Sequence, residues 1–123
     1  MFGLKQKDIN QIKDVLNKNG VKKSIIFGSR AKGNYKYASD IDIAIDGNEN
    51  RVAYYLNEES NLPYYFDIIN INTIKNPKLI DHIKRVGLEF WFKKSIYNYT
   101  TQPRRGLNEL LILNFEIPAS QNE

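Results

Sequence analysis

The chain has 123 residues, 41% of them hydrophobic and 12% aromatic, with a net charge of +4, which fits one domain around one core. Without cysteine and with a single histidine, disulfides and thiolate or His-rich metal sites are excluded, so any metal must be held by oxygen, which favours Mg²⁺, Mn²⁺ or Ca²⁺. No apolar run approaches the roughly 20 residues that cross a bilayer, and the N-terminal Met-Phe-Gly-Leu-Lys-Gln-Lys-Asp lacks the apolar stretch of a secretory signal, so the expectation is a cytoplasmic protein with no membrane partner.

Ile9, Ile12 and Leu16 recur at helical spacing and predict a helix over 5–19, stopped by Asn19-Gly20. Val21 to Phe27 ends in an apolar run suited to a strand buried on both faces. Gly28-Ser29 breaks that strand, and 29–33 forms one helical turn ended by Gly33, followed by a polar loop over 34–39. Residues 40–45 alternate strictly, with Ile41, Ile43 and Ile45 on one face of a strand and Asp40, Asp42 and Ala44 on the other. Asp46-Gly47-Asn48 is turn chemistry. A helical stripe of Val52, Tyr55 and Leu56 lies in 51–60. A strand follows over 64–71, and Asn76-Pro77 caps a helix over 76–86 that Gly87 ends. A short strand is expected over 88–92. Beyond about Lys93 the pattern weakens: 98–106 is loop-like, and 107–115 suits a short helix or strand. The order of elements gives an α+β fold, a mixed β-sheet flanked by helices.

Charge is segregated along this order. Residues 1–39 carry nine Lys/Arg against two acids, and residues 40–70 carry seven acids against Arg51 alone. A solvated mixed surface has that composition, and so does a carboxylate cluster flanked by positive charge, as a cation–polyphosphate site needs. Asp40 and Asp42 point the same way from one strand, about 7 Å apart at Cα. Asp67 sits inside the apolar run Tyr64-Tyr65-Phe66-Asp67-Ile68-Ile69, where a carboxylate needs a partner, a proton or a metal unless it faces outward. Upstream, the strand–turn–helix at Gly28-Ser29 is a geometry that presents backbone N–H groups to phosphate oxygens. Gly28 permits close approach, Ser29 adds a hydroxyl, and Arg30 and Lys32 stand near enough to help neutralise a triphosphate. Together these groups fit metal-assisted phosphoryl or nucleotidyl transfer.

Gly28-Ser29-Arg30-Ala31-Lys32-Gly33 followed by Ser39-Asp40-Ile41-Asp42 resembles the Gly-Ser and Asp-x-Asp signature of DNA polymerase beta-like nucleotidyltransferases. The likeness covers about residues 5–92 and is greatest to the minimal nucleotidyltransferase branch, found as antitoxins beside HEPN-domain toxins. It implies a nucleotidyltransferase-like fold over 1–95, with 96–123 as a tail. It also implies two Mg²⁺ ions held by the catalytic carboxylates Asp40, Asp42 and Asp67, with ATP or another nucleoside triphosphate as donor. Within the antitoxin branch it further implies transfer of AMP to a tyrosine of a HEPN partner encoded nearby. Lys32 departs from the pattern, standing where arginine is frequent. The tail departs further: Thr101-Gln102-Pro103, Leu107-Asn108-Glu109-Leu110 and Phe115-Glu116-Ile117-Pro118 faintly resemble a segment of type I restriction specificity subunits.

Two other readings stand beside this one. One is an antitoxin that neutralises by occlusion alone, and the other is an accessory protein associated with nucleic acid, the less favoured partner. No second domain is evident to recognise a large acceptor, so the acceptor is expected on another protein or within a homo-oligomer. His82 is read as a surface residue and Trp91 as core or a partner-facing patch. Tyr54, Tyr55, Tyr64 and Tyr65 are read as packing around the sheet.

Overall fold

The computed structural model describes residues 1–92, so the readings made for the tail and the boundary near residue 95 lie outside the described residues. Helix α1 (Gln6–Lys18) buries Ile9, Ile12 and Leu16. Its end is closed by the Asn19 side chain, which donates to the Val15 carbonyl, and by the Val21 N–H, which donates to the Leu16 carbonyl. Strand β1 (Lys23–Phe27) follows and leads directly into the short helix α2 (Gly28–Lys32). Strand β2 (Ile41–Ile45), helix α3 (Glu49–Tyr54), strand β3 (Phe66–Asn70), helix α4 (Pro77–Val86) and strand β4 (Leu88–Phe92) complete the order.

The sheet is mixed, as the alternation of elements requires. Its strand order is β3-β2-β1-β4, with β1 antiparallel to both β2 and β4, and β2 parallel to β3. Parallel pairing needs a crossover, which α3 supplies. Ile41, Ile43 and Ile45 face a core shared with α1, Val52 and Leu56. Ala44 faces the opposite side with Ile25, Phe27 and Ile71, under Ile80 and Ile83 of α4. The period-two alternation in β2 thus sorts side chains between two helical layers. Gly87 sits where a Cβ would press on the Ile83 carbonyl and the Ile25 side chain, so its role is close approach of α4 to β1.

Two details depart from the sequence reading. The helix expected over 51–60 begins at Glu49, capped by Asn48, and changes after Tyr54 into a π-helical turn, Tyr55–Glu59. Leu56 remains buried there, whereas Tyr55 is exposed and stands edge-on to the exposed Tyr54. Tyr65 is also exposed, so of the four tyrosines only Tyr64 packs inward, against the α1-side core. In β4 a bulge opposite Ser24 and Ile25 inserts Phe90 into the core, with Trp91 packed beside it. The Trp91 indole N–H donates to the Val21 carbonyl.

Candidate active site

The register of the sheet aligns one row of residues across three strands. Phe27 of β1 pairs with Asp42 of β2, and Asp42 pairs with Asp67 of β3. Directly paired residues project from the same face, so this row runs from a buried Phe27 through a half-buried Asp42 to an exposed Asp67. Helix α4 accounts for the gradient. It covers the Phe27 end, where the His82 ring meets Phe27 edge-on with centroids 6.1 Å apart. His82 is therefore half-buried against Phe27, not the fully solvated residue of the sequence reading. Asp40, exposed, lies one residue before β2 begins.

Gly28 joins β1 to α2 at φ +72°, in the left-handed region that favours glycine, and a Cβ there would overlap the Asp42 carboxylate. The turn backbone thus lies directly against Asp42. Helix α2 begins at this point without a side-chain cap, and Ser29 is half-buried in its first turn. The first N–H groups of a helix have no intrahelical partner, so α2 starts with donors beside a carboxylate row.

Electrostatics set Asp42 apart. Its carboxyl is pushed up to about 6 by burial first, then by the charges of Asp67 and Asp40. Among the described residues the ion pairs are Asp14–Lys18 and Asp81–Arg85, so no lysine or arginine neutralises the triad. A half-buried carboxylate beside two others, without a cationic side chain, has the donor chemistry of a divalent cation site. Among the described residues no three acidic or histidine side chains form a ready-made metal cage. Mg²⁺ is ordinarily bound by one or two carboxylates together with substrate phosphates and water, not by an all-protein cage, so the open arrangement suits a metal carried in with a triphosphate.

Arg30 corrects the sequence reading. It was expected to reach toward a triphosphate, yet it is 2% exposed. Its guanidinium donates to the backbone carbonyls of Phe2, Tyr37 and Ser39, at 2.8 to 3.2 Å. It also stacks between the rings of Tyr35 and Tyr64. The planar fork holds the N-terminus and the 34–39 loop, which leaves it unavailable to phosphate. Lys32 is exposed at the last position of α2. A cleft of about 290 Å³ lined by Lys5, Lys7, Asp8 and Asn61 lies along α1 and contains none of the candidate residues.

Sequence reasoning passed over two polar contacts near these elements. Tyr64 donates its hydroxyl to the buried Asp8 at 2.9 Å, and the Asn57 side chain bonds to the backbone of Phe66. Both join residues distant in sequence, so local spacing carries no sign of them.

A family model described as polymerase beta, nucleotidyltransferase, matches residues 10–95. The chain belongs to this nucleotidyltransferase family. Solved structures agree on the fold. A toxin–antitoxin complex crystallised with AMP-PNP has 22% identity and a TM-score of 0.58, over 71% of this chain and 75% of that one. A complex of a tri-AMPylated Shewanella oneidensis HEPN toxin with its MNT antitoxin has 23% identity and a TM-score of 0.53, over 73% and 74%. An MntA-HpeT toxin–antitoxin mutant has 22% identity and a TM-score of 0.56, over 70% and 74%. No curated protein matches the chain. Among the described residues no helix is long and apolar enough to cross a membrane.

Proposed function

We propose that this nucleotidyltransferase moves a nucleoside monophosphate, AMP from ATP, onto a hydroxyl of a HEPN-domain partner, a tyrosine by the family resemblance, and acts as that partner's antitoxin. The observation that carries the reading is the Asp42–Asp67 pair with the Gly28 turn pressed against it. The turn at Gly28-Ser29 offers backbone donors to the triphosphate, with Lys32 adding positive charge at its edge. Asp40, Asp42 and Asp67 would hold Mg²⁺, which supplies charge neutralisation at the phosphates and lowers the barrier to displacement. Asp67, exposed on the edge strand β3, faces the side from which an acceptor arrives and attracts the proton of its hydroxyl. The acceptor oxygen bonds to the α-phosphorus, the bond to the β-phosphate oxygen breaks, and pyrophosphate leaves.

The adenine nucleotide and the HEPN partner are suggested by similar proteins, one crystallised with AMP-PNP and one whose HEPN partner carries AMP. The test is incubation of the chain with ATP labelled in its α-phosphate, Mg²⁺ and the HEPN-domain product of a neighbouring gene. Label on the partner is expected. Binding of the partner without label would leave the occlusion mechanism in its place.

A further inference from the structure

Among the described residues β3 is an edge strand, paired only with β2, and it carries Asp67 one residue after its start. Edge strands leave alternate N–H and C=O groups without a ladder partner. At Phe66 both of these outward groups are taken by one side chain. Asn57 Nδ2 donates to the Phe66 carbonyl at 2.9 Å, and the Phe66 N–H donates to Asn57 Oδ1 at 2.8 Å. The amide thus stands in for a neighbouring strand over one residue.

Asn57 is delivered by the π-helical turn Tyr55–Glu59. π-Turns inside helices are uncommon and concentrate at functional sites. Here the wider turn keeps Leu56 fully buried while its neighbour Asn57 reaches the sheet edge. The peptide group that joins Phe66 to Asp67 is consequently held from two sides, by the ladder to β2 and by the Asn57 amide. Among the described residues, the β2 ladder holds the start of β3 on one side and the Asn57 amide holds it on the other.

We infer that Asn57 is a positioning residue, which fixes Asp67 against Asp42 by clamping Phe66 and so sets the affinity for the divalent cation that Asp67 helps hold. This rests on the proposed metal-dependent transfer. Outer contacts that orient a metal-ligating side chain typically change metal affinity or activity by about 10- to 100-fold when removed. Asn57 is remote from substrate in this account and acts only through the backbone of β3.

The test titrates Mn²⁺ into the full chain with AMP-PNP, counting bound ions by electron paramagnetic resonance, and follows folding by thermal melting. Asn57→Ala should weaken the Asp67-dependent Mn²⁺ site by about 10-fold or more and leave nucleotide affinity nearly unchanged. Asn57→Asp keeps an acceptor for the Phe66 N–H but loses the donor to its carbonyl. Its added negative charge would by itself strengthen cation binding, so weaker binding reports lost geometry. In an Asp67→Asn background, Asn57→Ala should cost nothing further, because the group it positions is gone. Unchanged Mn²⁺ affinity in both Asn57 variants overturns the inference alone, as does an equal loss in the Asp67→Asn background. Variants too unstable to bind nucleotide would make Asn57 a scaffold residue and overturn it as well. A wild-type chain that takes up no protein-dependent Mn²⁺ overturns both this inference and the reading beneath it.

Discussion

Asp42 and Asp67 stand directly opposite each other on parallel strands, so two carboxylates share one sheet face at the spacing of adjacent strands, about 5 Å at Cα. Like charges at that distance oppose each other and need either a proton or a cation. Such a pair costs folding stability, which a merely structural pair of residues would have no reason to do.

The cost has a pH signature. Asp42 has an ordinary value of 3.8 and a folded value of about 6. Between these values the folded chain holds the proton more tightly than the unfolded chain, so stability falls as pH rises through the window and stays lowered above it. Asp42→Asn removes the charge. At neutral pH and without divalent cations it should raise Tm by roughly 2–5 °C, since partial exposure of Asp42 screens the effect. The difference should vanish in acid below the ordinary carboxylate value. Thermal melting across pH checks this, and a variant less stable than the wild type at neutral pH would contradict it.

Gly28 and Ser29 separate geometry from binding. Gly28→Ala forces a left-handed alanine, costing about 1–2 kcal/mol, and drives its Cβ into the Asp42 carboxylate. Stability and Mg²⁺–nucleotide affinity should therefore fall together. Ser29→Ala removes only a hydroxyl, so melting should shift by less than about 0.5 kcal/mol. AMP-PNP affinity should fall by roughly 2- to 10-fold, the worth of one hydrogen bond. Calorimetry with Mg²⁺ present measures both, and full affinity in Ser29→Ala would remove the hydroxyl from the phosphate site.

Arg30 is expected to behave as structure. Arg30→Lys keeps the charge but cannot reach three carbonyls with one planar fork, and should destabilise by on the order of 3 kcal/mol. Where the variant is folded, nucleotide affinity should change little. Full stability with abolished nucleotide binding would restore Arg30 to the phosphate site.

Much of this was legible in the sequence. The strict alternation of Ile41, Ile43 and Ile45 with Asp42 and Ala44 fixed both faces of β2, although Asp40 falls one residue before the strand. Asn76-Pro77 located α4, whose cap the Asn76 side chain makes. What local spacing could not carry was partnership across the chain. Arg30 looked like a phosphate ligand because its neighbours Gly28 and Ser29 fit one; burial under Phe2, Tyr35 and Tyr64 is a tertiary outcome. Tyr55 had helical spacing to the core, but the π-helical turn begins at that residue and Tyr55 faces solvent. Likewise, His82 looked solvated on its own helix until Phe27 of β1 was placed beside it.

The central claim is that Asp67 serves transfer while the Asp40–Asp42 segment and the Gly28 turn retain the nucleotide. Asp67→Asn keeps the shape and removes the charge. The decisive measurement pairs calorimetric AMP-PNP affinity with the rate of α-phosphate label transfer to the HEPN-domain partner, wild type against Asp67→Asn. Affinity should hold within a few-fold while transfer falls by roughly 100-fold or more, as loss of proton acceptance alone commonly gives. Label transferred by the variant at the wild-type rate would contradict the account.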